Sequence, residues 1–172
     1  MTSLIAGRAP ILDFDGTIAR LDVAWSELRA RLGLGRIDEV WASRDERRWD
    51  EVTAAEIEAA RVARPGPAVG SLMRSLDSFA ILTSNAERAV TVFLARFPAL
   101  EQRVALVVGR ETLGGPKTDF EVFARGFALC SVALGSPARQ VYVGDQQYEL
   151  DFARQLGADA VDVAALGEGG GG

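Results

Sequence analysis

The chain has 172 residues, 48% of them hydrophobic and 25% charged, with a formal net charge of −5. That composition fits one soluble domain with room for an insertion and excludes a helical membrane protein, since no apolar run approaches the ~20 residues a bilayer span needs. Histidine is absent and Cys130 is the one cysteine, which removes His-dependent triads, histidine metal sites and disulfide frameworks, and the acidic balance argues against nucleic-acid binding.

The first ten residues carry Arg8 and no signal-type apolar region, so a cytoplasmic location is expected. Ala9 to Phe14 is short and apolar and predicts a buried strand that ends in Asp-Phe-Asp-Gly-Thr. From Leu21 the period becomes helical, with Leu21, Trp25, Leu28 and Leu32 on one face and Gly33 and Gly35 as the stop. Ile37, Val40 and Trp41 begin a second stripe. Thr53 followed by Glu56 reads as a capping box that opens a third helix. Arg64-Pro65-Gly66-Pro67 breaks the chain, and Val69, Leu72, Met73 and Leu76 form a fourth helical stripe.

Strand and helix then alternate. Phe79 to Leu82, Val104 to Val108, Val141 to Val143 and Ala160 to Val163 predict strands. Ala86 to Phe97, Asp119 to Leu129 and Gln147 to Leu156 predict the helices between them. This is the pattern of an α/β fold, a doubly wound parallel sheet covered on both faces. The helical block 18–64 interrupts it as an inserted cap, which leaves 1–17 and 65–172 as the core. The Gly-rich tail, 167–172, is expected to be disordered.

Open parallel sheets gather functional groups at the C-terminal ends of their strands. The residues at those ends are Asp13 and Asp15, then Thr83, Ser84 and Asn85, then Lys117, then Asp145 with Glu149 and Asp151. Carboxylates brought into one crevice repel unless a cation neutralises them, and hard oxygen ligands suit Mg2+. Thr83 and Lys117 supply donors for an anion. Together these describe phosphoryl transfer. Taken singly, Asp-Gly also makes a turn and Thr-Ser-Asn a helix N-cap. Lys117 is the one lysine against 18 arginines, so a compact ammonium is used there and nowhere else.

In this order, the motif Ile11-Leu12-Asp13-Phe14-Asp15-Gly16-Thr17, the Thr83 loop, Lys117 and Val141-Tyr142-Val143-Gly144-Asp145 resemble the haloacid dehalogenase superfamily of phosphohydrolases across essentially the whole chain. The helical block resembles the small cap of its phosphoglycolate-phosphatase-like members. The resemblance implies a Rossmann-like core and Mg2+, with Asp13 as nucleophile and Asp15 as acid and base. It implies that Thr83, with Ser84 and Asn85, holds the phosphate, that Lys117 steadies the charge, and that Asp13, Asp15 and Asp145 serve the metal. Glu149 stands where the family has a second Asp; it keeps the charge and is expected to serve the metal too. The presence of Asp15 favours a phosphatase over a dehalogenase.

The implied reaction is hydrolysis of a small phosphorylated metabolite, with no nucleic-acid or membrane partner. A phosphomutase and a non-catalytic binding scaffold of the same fold are the alternatives, and oligomeric state is not legible. The cap holds all three tryptophans, Trp25, Trp41 and Trp49. Its arginines Arg44, Arg47 and Arg48, with Arg20, are candidates to meet a second anionic group of the substrate.

Overall fold

Five runs of apolar residues pair in one direction, in a computed structural model that describes residues 8–43, 45–66, 69–70, 78–135 and 140–167. They are β1 (Ile11–Leu12), β4 (Phe79–Leu82), β5 (Val104–Val108), β6 (Val141–Gly144) and β7 (Asp159–Asp162). Their spatial order is β5-β4-β1-β6-β7, all parallel, with β1 central: Ile11 stands beside Ala80 on one side and Tyr142 on the other. The five strands and the parallel sheet match the sequence expectation.

Alternation along each strand sends successive side chains to opposite faces. Leu12, Ile81, Val141 and Val143 pack on one face with Phe14, Val90 and Phe93. Ile11, Ala80, Leu82 and Tyr142 pack on the other with Phe123, Phe127 and Cys130. Both faces are therefore dry, as a parallel sheet requires. Phe93 comes from α4 (Glu87–Leu94) and Phe123 from α7 (Phe120–Ala133). The side chain of Asp119 caps α7 by accepting from the amides of Glu121 and Val122 at 2.9 and 3.2 Å. Short helices α5 (Pro98–Glu101), α6 (Arg110–Leu113) and α9 (Ala164–Gly167), with α8 (Gln147–Gln155), complete the layers.

Three helices interrupt this scheme: α1 (Trp25–Leu32), α2 (Glu39–Ser43) and α3 (Glu46–Val62). They share a small core of Leu28, Leu32, Val40 and Val52, against which Trp25 and Trp49 also pack. They leave and re-enter through a two-stranded antiparallel ribbon, β2 (Ala19–Arg20) with β3 (Arg64–Pro65), which the sequence did not reveal. Gly66 closes the return. A Cβ there would lie 2.1 Å from the carbonyl oxygen of Thr17, so only glycine fits.

One local expectation fails. Thr53 and Glu56 do not open a helix, because α3 already begins at Glu46 with Asp45 as its cap, the Asp45 side chain accepting from the Arg47 amide at 3.1 Å. With no breaker between 46 and 53 the helix runs on, and residues three apart share a face. Pro67, Leu72, Met73 and Leu76, like Arg44, residues 1–7 and the tail from 168, lie outside the described residues. Among the described residues no helix is long and apolar enough to cross a membrane.

Candidate active site

The chain leaves β1 at Asp13 and turns back at once. The amides of Ile18 and Ala19 both donate to the Phe14 carbonyl at 2.9 Å, and the Gly16 amide donates to the Ala19 carbonyl at 2.8 Å. Gly16 has φ +84°, and a Cβ on it would lie 2.4 Å from Oδ2 of Asp145. The turn therefore needs glycine twice over, for its backbone and for the carboxylate pressed against it. It sets Asp13, Asp15 and Asp145 around one crevice of about 380 Å3, which Thr83, Ser84, Asn85, Lys117 and Glu149 also line.

Lys117 is the hub. It follows Gly114-Gly115-Pro116 at the entry to α7, and its ammonium is almost fully buried. Its Nζ lies 2.6 Å from Asp13 Oδ1, 2.7 Å from Glu149 Oε1 and 3.1 Å from the carbonyl oxygen of Leu82 at the end of β4. Burial alone would lower its pKa; the carboxylates of Asp13 and Glu149 more than reverse this and hold it as ammonium. Asp13 is pushed up to about 7 by burial and then by the nearby Glu149 charge, against the pull of Lys117. One ammonium serves two carboxylates, so neither is fully compensated. Asp15 is also raised, mainly by burial and partly by Asp145, while the Leu21 amide donates to its Oδ1 at 2.8 Å and opposes the shift.

Glu149 is placed differently from the sequence expectation. It sits beneath the crevice, 1% exposed, with both oxygens engaged. Oε1 accepts from Lys117 and from the Tyr148 hydroxyl at 2.9 Å, and Oε2 accepts a short bond from the Tyr142 hydroxyl. The structure makes it the partner of Lys117 and of two tyrosine hydroxyls. Tyr142 and Tyr148 were missed in the sequence; a tyrosine in the middle of a buried strand was the available signal, since its hydroxyl needs a partner there.

Around the Thr83 loop, the Thr83 hydroxyl donates to Asn85 Oδ1 at 2.9 Å and accepts from the Asn85 amide at 3.1 Å. Ser84 is exposed in the crevice. The Asn85 side chain is committed elsewhere: its Nδ2 donates to Glu56 Oε1 at 3.1 Å, while the Ala86 amide donates to Glu56 Oε2 at 3.0 Å. Glu56 belongs to α3 of the insertion. Arg110 completes the network, with Nη1 3.1 Å from Glu56 Oε1, Nη2 3.0 Å from Oε2 and 2.6 Å from the Thr53 hydroxyl. The Thr53–Glu56 spacing read as a cap is thus the helix face that grips the core.

Among the described residues no three carboxylate, histidine or cysteine side chains converge closely enough to enclose a metal ion unaided. The donor set nonetheless suits a cation. Four carboxylates and one ammonium line the crevice, and Asp145 makes no ion pair among the described residues. Such an excess of hard oxygens, with Asp145 and, in part, Asp15 open to solvent, suits a dication that keeps much of its water, as Mg2+ does.

The arginines differ from expectation. Arg20 and Arg47 are exposed, Arg48 lies 3.5 Å from Asp45, and none of the three lines the crevice or the cavity beside it. Those that line the cavity are Arg29, Arg36 and Arg110. Arg29 stands four residues after Trp25, on the same face of α1, and that spacing was legible.

No family model and no curated protein matches the chain. Solved structures do. A candidate phosphoglycolate phosphatase from Lactobacillus plantarum aligns with a TM-score of 0.70 at 15% identity, over 96% of this chain and 90% of its own. CbbY from Rhodobacter sphaeroides, in complex with phosphate, gives 0.60 at 15% over 90% and 85%. L-2-haloacid dehalogenase from Xanthobacter autotrophicus, with chloropropionic acid covalently bound, gives 0.59 at 17% over 89% and 76%. The chain therefore has the α/β fold of the haloacid dehalogenase superfamily, with a small helical insertion after the first strand of the sheet.

Proposed function

We propose that this chain is a cytoplasmic, Mg2+-dependent phosphatase of that superfamily, which hydrolyses a small phosphate monoester through an aspartyl-phosphate. The observation that carries the reading is the pairing of Asp13 with Lys117 at 2.6 Å in a crevice that also holds a second carboxylate, Asp15, two residues on. Phosphate bound to one solved relative in fold supports it.

Lys117 occupies Asp13 Oδ1 and leaves Oδ2 for attack. Asp13 bonds to phosphorus while the ester P–O bond breaks, and Asp15 gives its proton to the leaving oxygen. Burial, helped by the nearby Asp145 charge, raises Asp15, the direction that suits a proton donor. Asp15 then takes a proton from water as the water oxygen bonds to phosphorus, and the P–O bond to Asp13 breaks. The products are the alcohol and inorganic phosphate, and Asp13 is regenerated. Ser84 and the loop amides near Thr83 hold the phosphoryl oxygens. Asp13, Asp145 and the main-chain carbonyl of Asp15 would hold Mg2+, which would supply positive charge against the phosphoryl group. Glu149 orients Lys117.

The test is phosphate release from a panel of monoesters with Mg2+ and with EDTA, beside Asp13→Asn. Metal-dependent release that the substitution abolishes is the expected result. Chloride release from 2-haloacids in place of phosphate release would transfer the reading to the dehalogenase branch.

A further inference from the structure

A second cavity, of about 660 Å3, lies between the insertion and the core and opens onto the crevice through Ser84, Asn85, Lys117, Gln146 and Tyr148. Its insertion wall carries Trp25, Trp41 and Trp49, which are all the tryptophans of the chain. Trp41 and Trp49 meet edge to face with centroids 4.7 Å apart, and the Arg110 guanidinium lies 4.5 Å from the Trp49 ring centroid. The wall is thus aromatic and braced.

Three arginines line this space, and two are already neutralised. Arg36 pairs with Asp38 at 2.9 Å, and Arg110 with Glu56 at 3.0 Å. Arg29 is half-buried on the cavity wall and makes no side-chain hydrogen bond or ion pair among the described residues. A guanidinium that lines the same cavity as the indole rings, with no counter-ion among the described residues, is suited to a carboxylate or a second phosphate carried on a flat group.

We infer that the cavity binds the leaving group of the substrate, and that this group is planar, unsaturated and negatively charged, with Arg29 as its anion contact. This rests on the phosphatase reading above and narrows it. A two-carbon leaving group such as that of phosphoglycolate would fill little of the space, whereas cavities of about 300–1,000 Å3 enclose ligands many atoms larger. The tryptophan wall favours a ring over a flexible chain because a ring loses less freedom on stacking. Arg29 is a specificity-determining residue in this scheme and takes no part in the bond changes.

Because every tryptophan borders the cavity, intrinsic fluorescence reports its occupancy independently of turnover. The probes are 4-carboxyphenyl phosphate, phenyl phosphate, cyclohexyl phosphate and phosphoglycolate, titrated with Mg2+ into full-length Asp13→Asn protein. Saturable quenching by 4-carboxyphenyl phosphate is expected, with affinity about tenfold above each of the others, as one charge-assisted contact provides. Arg29→Ala, or Arg29→Gln should the alanine variant fold poorly, removes that margin and leaves phenyl phosphate binding unchanged. In the active protein the same rank order is expected in kcat/KM. Equal quenching by all four esters, or a margin that survives loss of Arg29, overturns the inference. Release of phosphate without preference for the aryl acid also overturns it and leaves the phosphatase reading standing. Selective quenching with no release from any ester supports the cavity assignment and overturns the phosphatase reading.

Discussion

The contact between Arg110 and Glu56 is the structural hinge-pin between insertion and core, and its loss has a calculable cost. The two side chains are 6% and 2% exposed, so solvent cannot take over when one is removed. In Arg110→Met, Glu56 keeps the Asn85 side chain and the Ala86 amide as donors but loses both guanidinium contacts, and Thr53 loses its own. Breaking a buried ion pair costs about 3–5 kcal/mol. The two surviving donors favour the lower end, ~3 kcal/mol. With a urea slope of about 2 kcal/mol/M for a chain of this size, the midpoint falls by ~1.5 M. Glu56→Gln removes the charge but retains one acceptor, at a cost of about 1–3 kcal/mol. The double variant Glu56→Gln/Arg110→Met is expected to be more stable than the sum of the singles by about 2 kcal/mol, since no unpaired charge remains buried. Urea unfolding followed by tryptophan fluorescence reads the insertion, where all three tryptophans lie, and far-UV circular dichroism reads the whole. A midpoint shift below ~0.5 M for Arg110→Met, or strict additivity in the cycle, would refute the claim that this pair docks α3 on the core.

Two further outcomes follow from buried groups. Cys130 is fully buried, and burial pushes its thiol up to about 12, so the folded protein should react with thiol reagents at pH 8 only through unfolding. Its folded value lies above the ~8.5 of an unfolded cysteine, so its contribution is intact below pH 8.5 and is lost as pH rises from there towards 12. The loss by pH 10 is ~2 kcal/mol, and a Cys130→Ala control whose stability falls equally steeply from pH 8 to 10 would remove that assignment. Lys117→Arg keeps the charge but should lower phosphate release by at least about a hundredfold, through misplacement of Asp13; a variant that retained a tenth of wild-type kcat on p-nitrophenyl phosphate would show that the ammonium's shape is immaterial.

The parallel sheet was legible because its strands are short apolar runs set between helical periods, and Asp13, Asp15, Thr83, Ser84, Asn85, Lys117 and Asp145 were legible because each ends a strand or follows one in the chain. They do line one crevice. What the sequence could not convey was side-chain direction across elements. Thr53 and Glu56 have the spacing of a cap, and only the helix start at Glu46 turns them into a gripping face. Glu149 has the charge of a metal ligand, and only its burial against the hydroxyls of Tyr142 and Tyr148 commits it to Lys117. Arg47 and Arg48 stand among several arginines in sequence, yet such density says little about which face of the insertion meets the core. Arg29 shares a helical face with Trp25, so periodicity pointed to it where density did not.

The lone lysine now has a physical account. Nζ carries three hydrogens, and its three nearest acceptors are Asp13 Oδ1, Glu149 Oε1 and the Leu82 carbonyl, at 2.6, 2.7 and 3.1 Å, with the Tyr142 hydroxyl oxygen farther off at 3.5 Å. The nearest three come from the end of β1, the start of α8 and the end of β4, so they approach from three directions. A tetrahedral ammonium satisfies such a set, whereas a planar guanidinium presents its donors as a fork in one plane. The extra methylene of Glu149 belongs to the same solution. It carries the carboxylate from the first turn of α8 down to the tyrosine hydroxyls, where a buried charge is held by three donors rather than by water. The remaining carboxylates, Asp13, Asp15 and Asp145, line the crevice, where in the proposed reaction a hydrated dication and a phosphoryl group would meet them.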